Sequence, residues 1–170
     1  MAVQQCLVLI KPDGLIKSLT GNIISALSET KLKIVGAKIV SVKRELAELH
    51  YADLKKQKPQ VFEGVLKYIQ GEFHTPRVLA LVYSGESAIK KIREVAGSTN
   101  PEDADPISIR GKYGRINSKT GVFENVIHAS DNEESAKREI QIWFQPEELT
   151  ELIYPTKKIN QTKEIIIWNN

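Results

Sequence analysis

The sequence predicts an α+β fold of the ferredoxin-like type, a βαββαβ core whose four strands form an antiparallel sheet with helices on one face. Short aliphatic and β-branched runs alternate with segments whose apolar residues repeat at helical spacing. Their order is strand, helix, strand, two short helices, strand, helix, strand, helix, which fits this arrangement. Of 170 residues, 41% are hydrophobic and 26% are charged, a balance typical of globular domains.

The first half of the predicted core starts with a strand at residues 4–10. This run is apolar at successive positions, so we expect it in the centre of the sheet. Lys11-Pro12-Asp13-Gly14 has the composition of a turn. Apolar spacing then predicts a helix near 20–30, and β-branched residues predict a second strand at 33–42.

The middle of the chain is predicted to form two short helices, around 45–55 and 61–70, separated at Lys58-Pro59. A third strand follows at 77–83. The next helix, 86–96, has a regular apolar face and can end at Gly97.

The last part of the core is preceded by a long polar connection, 97–123, which is predicted to be irregular. Connections of this length in a compact domain are usually functional or disordered. The fourth strand is expected at 124–128. Ser130 or Asp131 can cap the next helix, because each is followed three residues later by a glutamate.

Several classes of protein are disfavoured by composition and missing motifs. The net charge is only +3, which does not require a nucleic-acid or membrane partner. The single cysteine, Cys6, fits a reducing compartment, and we find neither a signal peptide nor a membrane span, so we expect a cytoplasmic protein. The Walker phosphate loop and the G-x-S-x-G nucleophile motif are both absent.

His128 is the first candidate for chemistry. It ends the fourth predicted strand and precedes a helix N-terminus, where backbone N–H groups favour anions. A neutral imidazole there can attack phosphorus, although a half-buried structural histidine is the more common role for an isolated residue. A metal site is disfavoured, because His50 and His74 lack ligand spacing.

Positive side chains could stabilise a phosphoryl group near His128. The candidates are Lys11 at the end of the first strand, Arg93 on its helix and Arg110 in the long connection. Each of them alone is more typical of a solvated surface charge. The position of Lys11 and His128 at strand ends makes a shared site the sharper hypothesis.

Several short motifs accompany the candidate histidine in one order. Asn125–Asp131 reads N-V-I-H-A-S-D. The others are K-P-D-G at 11–14, H-Y-A-D-L at 50–54, T-N-P at 99–101, S-I-R-G at 108–111, E-S-A-K-R-E-I-x-x-W-F at 134–144 and P-E-E-L at 146–149. Any one of these other motifs is common, but their joint order is specific. Together the motifs resemble the nucleoside diphosphate kinase family over about residues 4–150. N-V-I-H-A-S-D is similar to that family's active-site signature, with His128 in the position of the phosphorylated histidine.

The resemblance implies transfer of the γ-phosphate from a nucleoside triphosphate, mainly ATP, to a nucleoside diphosphate. The reaction would be ping-pong, through a phosphohistidine at His128, and would maintain nucleoside triphosphate pools. By position, Asn125 would bind the sugar hydroxyl. Glu139 would hold the other imidazole nitrogen, with Ser130 as its partner. The phosphates would be bound by Lys11, Tyr51, Arg93, Thr99 and Arg110.

The resemblance also implies Mg²⁺, held mainly by the nucleotide phosphates and by no dedicated protein ligands. It implies a homo-oligomer, either a hexamer or a tetramer, with the loop around 99–106 commonly at the trimer contacts. Neither a membrane nor a nucleic acid is required. The kinase domain is expected at 1–150, and 151–170 is expected to be an extension that packs on the domain or on a neighbouring subunit through the apolar run 165–168.

Two segments depart from the family pattern. Where the family often has P-F-F, the chain has Pro59-Gln60-Val61-Phe62, so either Val61 or Phe62 could stack on the base. An insertion of roughly five residues lies within 112–123, and Val122 is expected to form the other wall of the base site.

Two rival functions share these features. An RNA-binding ferredoxin-like module would need aromatic residues on its central strands, and the strands predicted here carry aliphatic ones. A nucleotide-binding regulatory member with weak or lost catalysis would share the family's fold. The presence of His128, Lys11, Arg93, Arg110 and Asn125 argues against it.

Overall fold

The computed structural model describes residues 2–160. The helices are α1 Pro12–Ile16, α2 Thr20–Ser28, α3 Arg44–His50, α4 Ala52–Gln57, α5 Pro59–Ile69, α6 Ala88–Ala96, α7 Ile109–Tyr113 and α8 Glu133–Trp143. The strands are β1 Val3–Ile10, β2 Lys33–Val40, β3 Val78–Glu86, β4 Arg115–Ile116, β5 Phe123–Glu124 and β6 Ile127–Ala129. Short 3₁₀ turns occupy Pro101–Asp103 and Pro146–Glu148.

The main sheet has the order β2-β3-β1-β6, and all of its pairings are antiparallel. This confirms the α+β prediction and the central position of β1. The register sets Leu9 of β1 opposite His128 of β6. Lys11 directly follows β1, so it lies at the same end of the strands as the candidate histidine.

Helices cover both faces of this sheet, so the expectation of one covered face was wrong. On one face, Cys6, Val8 and Ile10 pack with α2 and α6. On the other, Leu7 and Leu9 pack with α3, α5 and α8. The apolar residues at successive positions of β1 already carry this signal, because neighbouring side chains of a strand point to opposite faces.

Other local differences lie near the predicted site. Lys11-Pro12-Asp13-Gly14 is not only a turn, because Pro12 begins α1, a position that suits its fixed φ and missing N–H. The predicted fourth strand, 124–128, is divided into β5 and β6. Part of the predicted irregular connection is ordered as α7 and as a hairpin of β4 and β5.

The cap of α8 is Asn132, whose side chain accepts a hydrogen bond from the N–H of Ser135 at 2.9 Å. The two residues predicted for this role have other partners. Ser130 bonds to Glu139, and Asp131 pairs with Arg93.

The segment after α8 returns to β2. The N–H of Thr150 donates to the carbonyl of Val35 at 2.8 Å. Glu151 accepts from Lys33 through its carboxylate at 2.9 Å and from Gln5 through its carbonyl at 2.8 Å. The chain is thus still bonded to the sheet at the predicted domain boundary of 150. The expected packing of 165–168 lies outside the described residues.

Two further expectations concern surfaces. None of the helices within residues 2–160 is long and apolar enough to cross a membrane. The central strands are buried on both faces, whereas an RNA-recognition module stacks bases on an open sheet face. The fold therefore disfavours the RNA-binding alternative.

Candidate active site

One pocket of about 800 Å³ lies beside the paired strands β1 and β6, at the end of β1 that leads to Lys11. It is bordered by α3, α4, α5, α8 and the β4–β5 hairpin. Seven of the eight predicted site residues line it. They are Lys11, Tyr51, Thr99, Arg110, Asn125, His128 and Glu139. Residues that are separated by up to 128 positions in the sequence are thus assembled around one cavity.

The candidate nucleophile is oriented by a buried carboxylate. Nε2 of His128 lies 2.9 Å from Oε2 of Glu139, and Oγ of Ser130 donates to the same oxygen at 2.7 Å. Burial alone would raise the pKa of Glu139, but the charge and hydrogen bond of His128 outweigh it and lower the pKa to about 2. Glu139 therefore stays ionised and accepts the proton on Nε2, which leaves the lone pair on Nδ1.

His50 was not predicted as a site residue, yet its ring packs edge-on against His128 with centroids 4.5 Å apart. Nε1 of Trp143 donates to Nδ1 of His50 at 3.2 Å. Burial, followed by the charge of His128, holds the pKa of His50 well below its usual value. His50 thus supports the nucleophile's ring as a neutral group. The sequence offered no spacing signal for it, because the contact joins α3 to β6.

Lys11 is 7% exposed, and its Nζ donates to Oδ1 of Asn125 at 2.8 Å. Burial and the nearby charge of Arg110 lower the pKa of Lys11 to about 7. The neutral amide of Asn125 compensates little of the cost of burying an ammonium group. An anion entering the pocket would supply the missing compensation.

This lowered pKa predicts a pH dependence of stability. An unfolded lysine keeps its proton up to a pH of about 10, so between pH 7 and 10 the unfolded chain binds more protons at this position than the folded chain. The free energy of unfolding gains a contribution from Lys11 that rises with pH across that window. Urea unfolding of the wild type and Lys11→Met from pH 6 to 10, at one protein concentration, measures it. We expect the mutant's stability advantage to shrink as the pH rises, whereas parallel curves would contradict the burial of a charged Lys11.

Arg110 and Thr99 both line the pocket wall, and each is hydrogen-bonded to a different neighbour. Nη1 and Nη2 of Arg110 donate to the carbonyls of Gly97 and Ile127 at 2.7 and 3.1 Å. The carbonyl of Thr99 accepts from Nδ2 of Asn125 at 2.7 Å. Burial and the charge of Arg93 lower the pKa of Arg110 to about 10, so the guanidinium remains a cation at neutral pH.

Tyr51 lies between α3 and α4, lines the pocket and has a buried hydroxyl. Within residues 2–160 its Oη lacks a hydrogen-bond partner. Burial raises the pKa of Tyr51, so the hydroxyl stays protonated and can donate. A buried polar atom without a partner is costly, and a phosphate oxygen in the pocket would remove that cost.

Arg93 is the predicted site residue that does not line the pocket. It extends from α6, is half exposed, and forms an ion pair with Asp131. Asp131 itself lines the pocket, so the ion pair lies at its rim. Arg93 therefore lies next to the pocket, with its guanidinium paired to the carboxylate of Asp131.

The outer end of the pocket contains an apolar patch. Val61 of α5 is 43% exposed and lines the pocket together with Gly64 and Val122. A Cβ at Gly64 would lie 3.4 Å from Cγ2 of Val122, so α5 and the hairpin are within van der Waals range of each other here. Phe62 is 4% exposed and belongs to the core between the sheet and its helices. Of the two predicted stacking residues, only Val61 is accessible from the pocket.

The protein groups around His128 suit an anion better than Mg²⁺. His50, His128 and Glu139 have potential ligand atoms within 4.8 Å of one another, but Mg²⁺ prefers oxygen ligands in octahedral geometry. The nearby carboxylates of Asp53 and Asp131 are each paired with an arginine, and Glu139 is bonded to His128. A magnesium ion would therefore enter mainly with ligands supplied by a bound phosphate.

Comparisons with known proteins show which family the chain is similar to. The family model described as nucleoside diphosphate kinase matches residues 4–149. The nucleoside diphosphate kinase of Pyrococcus furiosus is 45% identical over 149 residues, 88% of each chain. That of Thermococcus kodakarensis is 46% identical, covering 88% of this chain and 81% of the relative.

Solved structures show the same likeness. A transition-state mimic of the Borrelia burgdorferi nucleoside diphosphate kinase, with bound vanadate and ADP, superposes with a TM-score of 0.79 at 34% identity and covers 91% of this chain and 93% of that one. The family match at residues 4–149 includes every residue that lines the pocket. The chain therefore belongs to the nucleoside diphosphate kinase family.

Proposed function

We propose that this protein transfers the γ-phosphate of a nucleoside triphosphate, mainly ATP, to a nucleoside diphosphate through a phosphohistidine at His128. The bond between His128 and Glu139 is the observation that supports this most strongly. It fixes the proton on Nε2, so Nδ1 is the nucleophile. A buried lysine and arginine line the same pocket, where a polyphosphate would balance their charges.

In the first half-reaction, the lone pair of Nδ1 attacks the γ-phosphorus and forms an N–P bond. The bond from phosphorus to the β,γ-bridging oxygen breaks, and its electron pair leaves with the nucleoside diphosphate. The imidazole becomes positively charged, and the carboxylate of Glu139 compensates this charge through Nε2–H. The second half-reaction reverses these steps with a different nucleoside diphosphate.

Charge on the transferred group is stabilised by donors already in place. Lys11 and Arg110 supply positive charge, and the hydroxyl of Tyr51 supplies a neutral donor. Such fixed donors stabilise a transition state strongly, because they need little reorganisation during the reaction. Thr99 adds a hydroxyl at the pocket wall. Arg93 would join the phosphate site by exchanging its partner Asp131 for a phosphate oxygen.

The rest of the nucleotide extends toward the apolar end of the pocket. Asn125 would bind the ribose hydroxyl, exchanging its contact with Lys11 as the lysine turns to phosphate. The base would lie between Val61 and Val122. The accessible Val61 and the buried Phe62 support this assignment. An aliphatic clamp contacts any base by its face, which suits an enzyme that accepts several nucleotides.

The divalent cation proposed for this chain is Mg²⁺, carried by the nucleotide phosphates. When bound, it neutralises phosphate charge and aligns the phosphate oxygens. Lys11 and Arg110 would hold the phosphates to which the cation is bound.

We further propose a homo-oligomer, a hexamer or a tetramer, and a cytoplasmic location. The edge strand β2 exposes Ile39 at 58%, and the loop before α7 exposes Ile107 at 78%, both of which suit contacts between subunits. The buried free thiol of Cys6 fits a reducing compartment. Light scattering after gel filtration measures the subunit number, and a monomer at micromolar concentration would contradict the oligomer.

The transfer reaction is tested without a coupling enzyme. The purified protein is incubated with γ-labelled ATP and Mg²⁺, desalted, and then given unlabelled CDP. We expect label on the protein that survives alkali, is lost in acid, and moves quantitatively to CTP. Binding of ATP without transferable label would contradict the proposal and favour a nucleotide-binding regulator.

Glu139→Gln tests the tautomer assignment. An amide oxygen can still accept from Nε2–H, but it does not compensate an imidazolium charge. We expect kcat to fall at least about 10- to 100-fold, the range found when a carboxylate behind a metal-bound histidine is replaced. Steady-state rates with ATP and CDP measure this, and Glu133→Gln, at an exposed position of the same helix outside the pocket lining, is the matched control. An unchanged kcat would contradict the orienting role.

A further inference from the structure

Val126 adopts a backbone conformation that a valine rarely adopts. Its φ is +58°, and the N–H of Ile127 donates to the carbonyl of Asn125 at 2.7 Å. This closes a three-residue γ-turn around Val126, and γ-turns with a positive central φ are strained. The cost is larger for a β-branched residue. The turn lies between Asn125 and His128.

Two contacts hold the peptide groups of this turn. Oδ2 of Asp13 accepts the N–H of Val126 at 3.2 Å, and the N–H of Lys11 donates to the carbonyl of Val126 at 2.8 Å. Gly14 permits this close approach, because a Cβ there would lie 3.1 Å from the carbonyl oxygen of Val126. The Lys11–Gly14 segment is therefore hydrogen-bonded to both the N–H and the carbonyl of Val126.

Asp13 is itself held rigidly. It is 0% exposed, and the hydroxyl of Tyr68 donates to its Oδ1 at 2.6 Å. It lies in the first turn of α1, where backbone N–H groups favour a negative charge. Asp13 is not among the residues that line the pocket, so contact with substrate does not explain its burial.

We propose that Asp13 is a positioning residue whose carboxylate holds Val126 in its strained turn and thereby aligns Asn125 and His128 with Lys11. The turn redirects the chain between β5 and β6. On one side of it Asn125 points to Nζ of Lys11, and on the other His128 points to Glu139. Relaxation of Val126 to a negative φ would change the path between these two side chains. The proposal rests on the proposed phosphotransfer reaction.

A double-mutant cycle tests this role. Asp13→Ala is made in the wild type and in Val126→Gly, where glycine accepts the positive φ without a steric cost. In the wild type we expect Asp13→Ala to lower kcat/KM about 10- to 100-fold, since small displacements of reacting groups cost this much. In the Val126→Gly background we expect the same change to cost about threefold or less, a coupling that only interacting sites show.

A remote glycine variant separates positioning from general stability. Lys31 is exposed and has a φ of +57°, so Lys31→Gly relieves a similar conformation far from the pocket. It should not restore the activity of Asp13→Ala, even if it raises the melting temperature. Equal losses from Asp13→Ala in the wild-type and Val126→Gly backgrounds, or equal rescue by Lys31→Gly, would overturn the proposal. Asp13→Leu, which keeps a similar side-chain volume but has no acceptor for the N–H of Val126, provides the same comparison if Asp13→Ala fails to fold.

A second readout does not depend on turnover. The ¹⁵N shifts of the His128 ring report whether the proton stays on Nε2. We expect a mixture of tautomers in Asp13→Ala and a return to the wild-type pattern in the Asp13→Ala, Val126→Gly double variant. An unchanged pattern in Asp13→Ala would contradict the positioning role of Asp13 even if the wild type proved inactive as a transferase. The test therefore distinguishes failure of the positioning role from failure of the proposed reaction.

Discussion

His128→Ala is expected to abolish phosphotransfer while leaving nucleotide binding in place. Removal of the imidazole leaves only the hydroxyl of Ser130 at hydrogen-bond distance from Glu139, and Ser130 is fully buried and does not line the pocket. The loss in kcat should be at least about 10⁴-fold, the size found when such nucleophiles are removed from other enzymes. Steady-state transfer from ATP to CDP measures the loss.

Calorimetric titration with ADP provides the control for this variant. The groups proposed to bind nucleotide, Lys11, Arg110 and Asn125, are not altered, and the alanine removes only a partly exposed ring of 16% side-chain exposure. We expect the affinity for ADP to change by less than about tenfold, equivalent to about 1.4 kcal/mol. Residual transfer within a factor of ten of the wild type would show that another residue carries the phosphate.

Lys11→Met is expected to lower activity and raise stability at the same time. The methionine fills much of the same buried volume but cannot neutralise a phosphate. Loss of a preorganised charge at the reacting group should lower kcat about 10²- to 10³-fold. Below pH 7 the variant should unfold at a higher urea concentration than the wild type, because it no longer buries an ammonium group.

These opposite signs distinguish a functional lysine from a structural one. Exposed Lys33, which pairs with Glu151 at 2.9 Å, is the matched control, and Lys33→Met should change neither quantity appreciably. If Lys11→Met lowered the urea midpoint together with kcat, Lys11 would be stabilising the fold. Its proposed role in phosphate binding would then be wrong.

The sequence could predict the elements and residues whose signals are local or shared by the family. The apolar run of β1 predicted a central strand, and the N-V-I-H-A-S-D motif predicted His128 as the nucleophile. The contact between Glu139 and Nε2 follows from the resemblance, because spacing alone does not relate a helical acid to a residue on a strand. The structure shows the two side chains 2.9 Å apart.

Other features depend on contacts that one sequence does not reveal. Ser130 and Asn132 are both good capping residues, and the choice of Asn132 depends on Glu139, which engages the hydroxyl of Ser130. The division of the fourth strand depends on the positive φ of Val126, a conformation that valine does not suggest. His50 meets His128 only after α3 packs against α8.

Phosphorylation of His128 is tested most directly by determining which imidazole nitrogen carries the phosphate. The protein is loaded with ATP and Mg²⁺, freed of nucleotide and hydrolysed in alkali, and the phosphohistidine isomer is identified by ³¹P NMR beside mass spectrometry of the intact chain. Because Nε2 is bonded to Glu139, we expect one phosphate per chain, on Nδ1 of His128, that disappears when GDP is added. Phosphate on Nε2, or a chain that binds ATP and never acquires phosphate, would contradict this expectation.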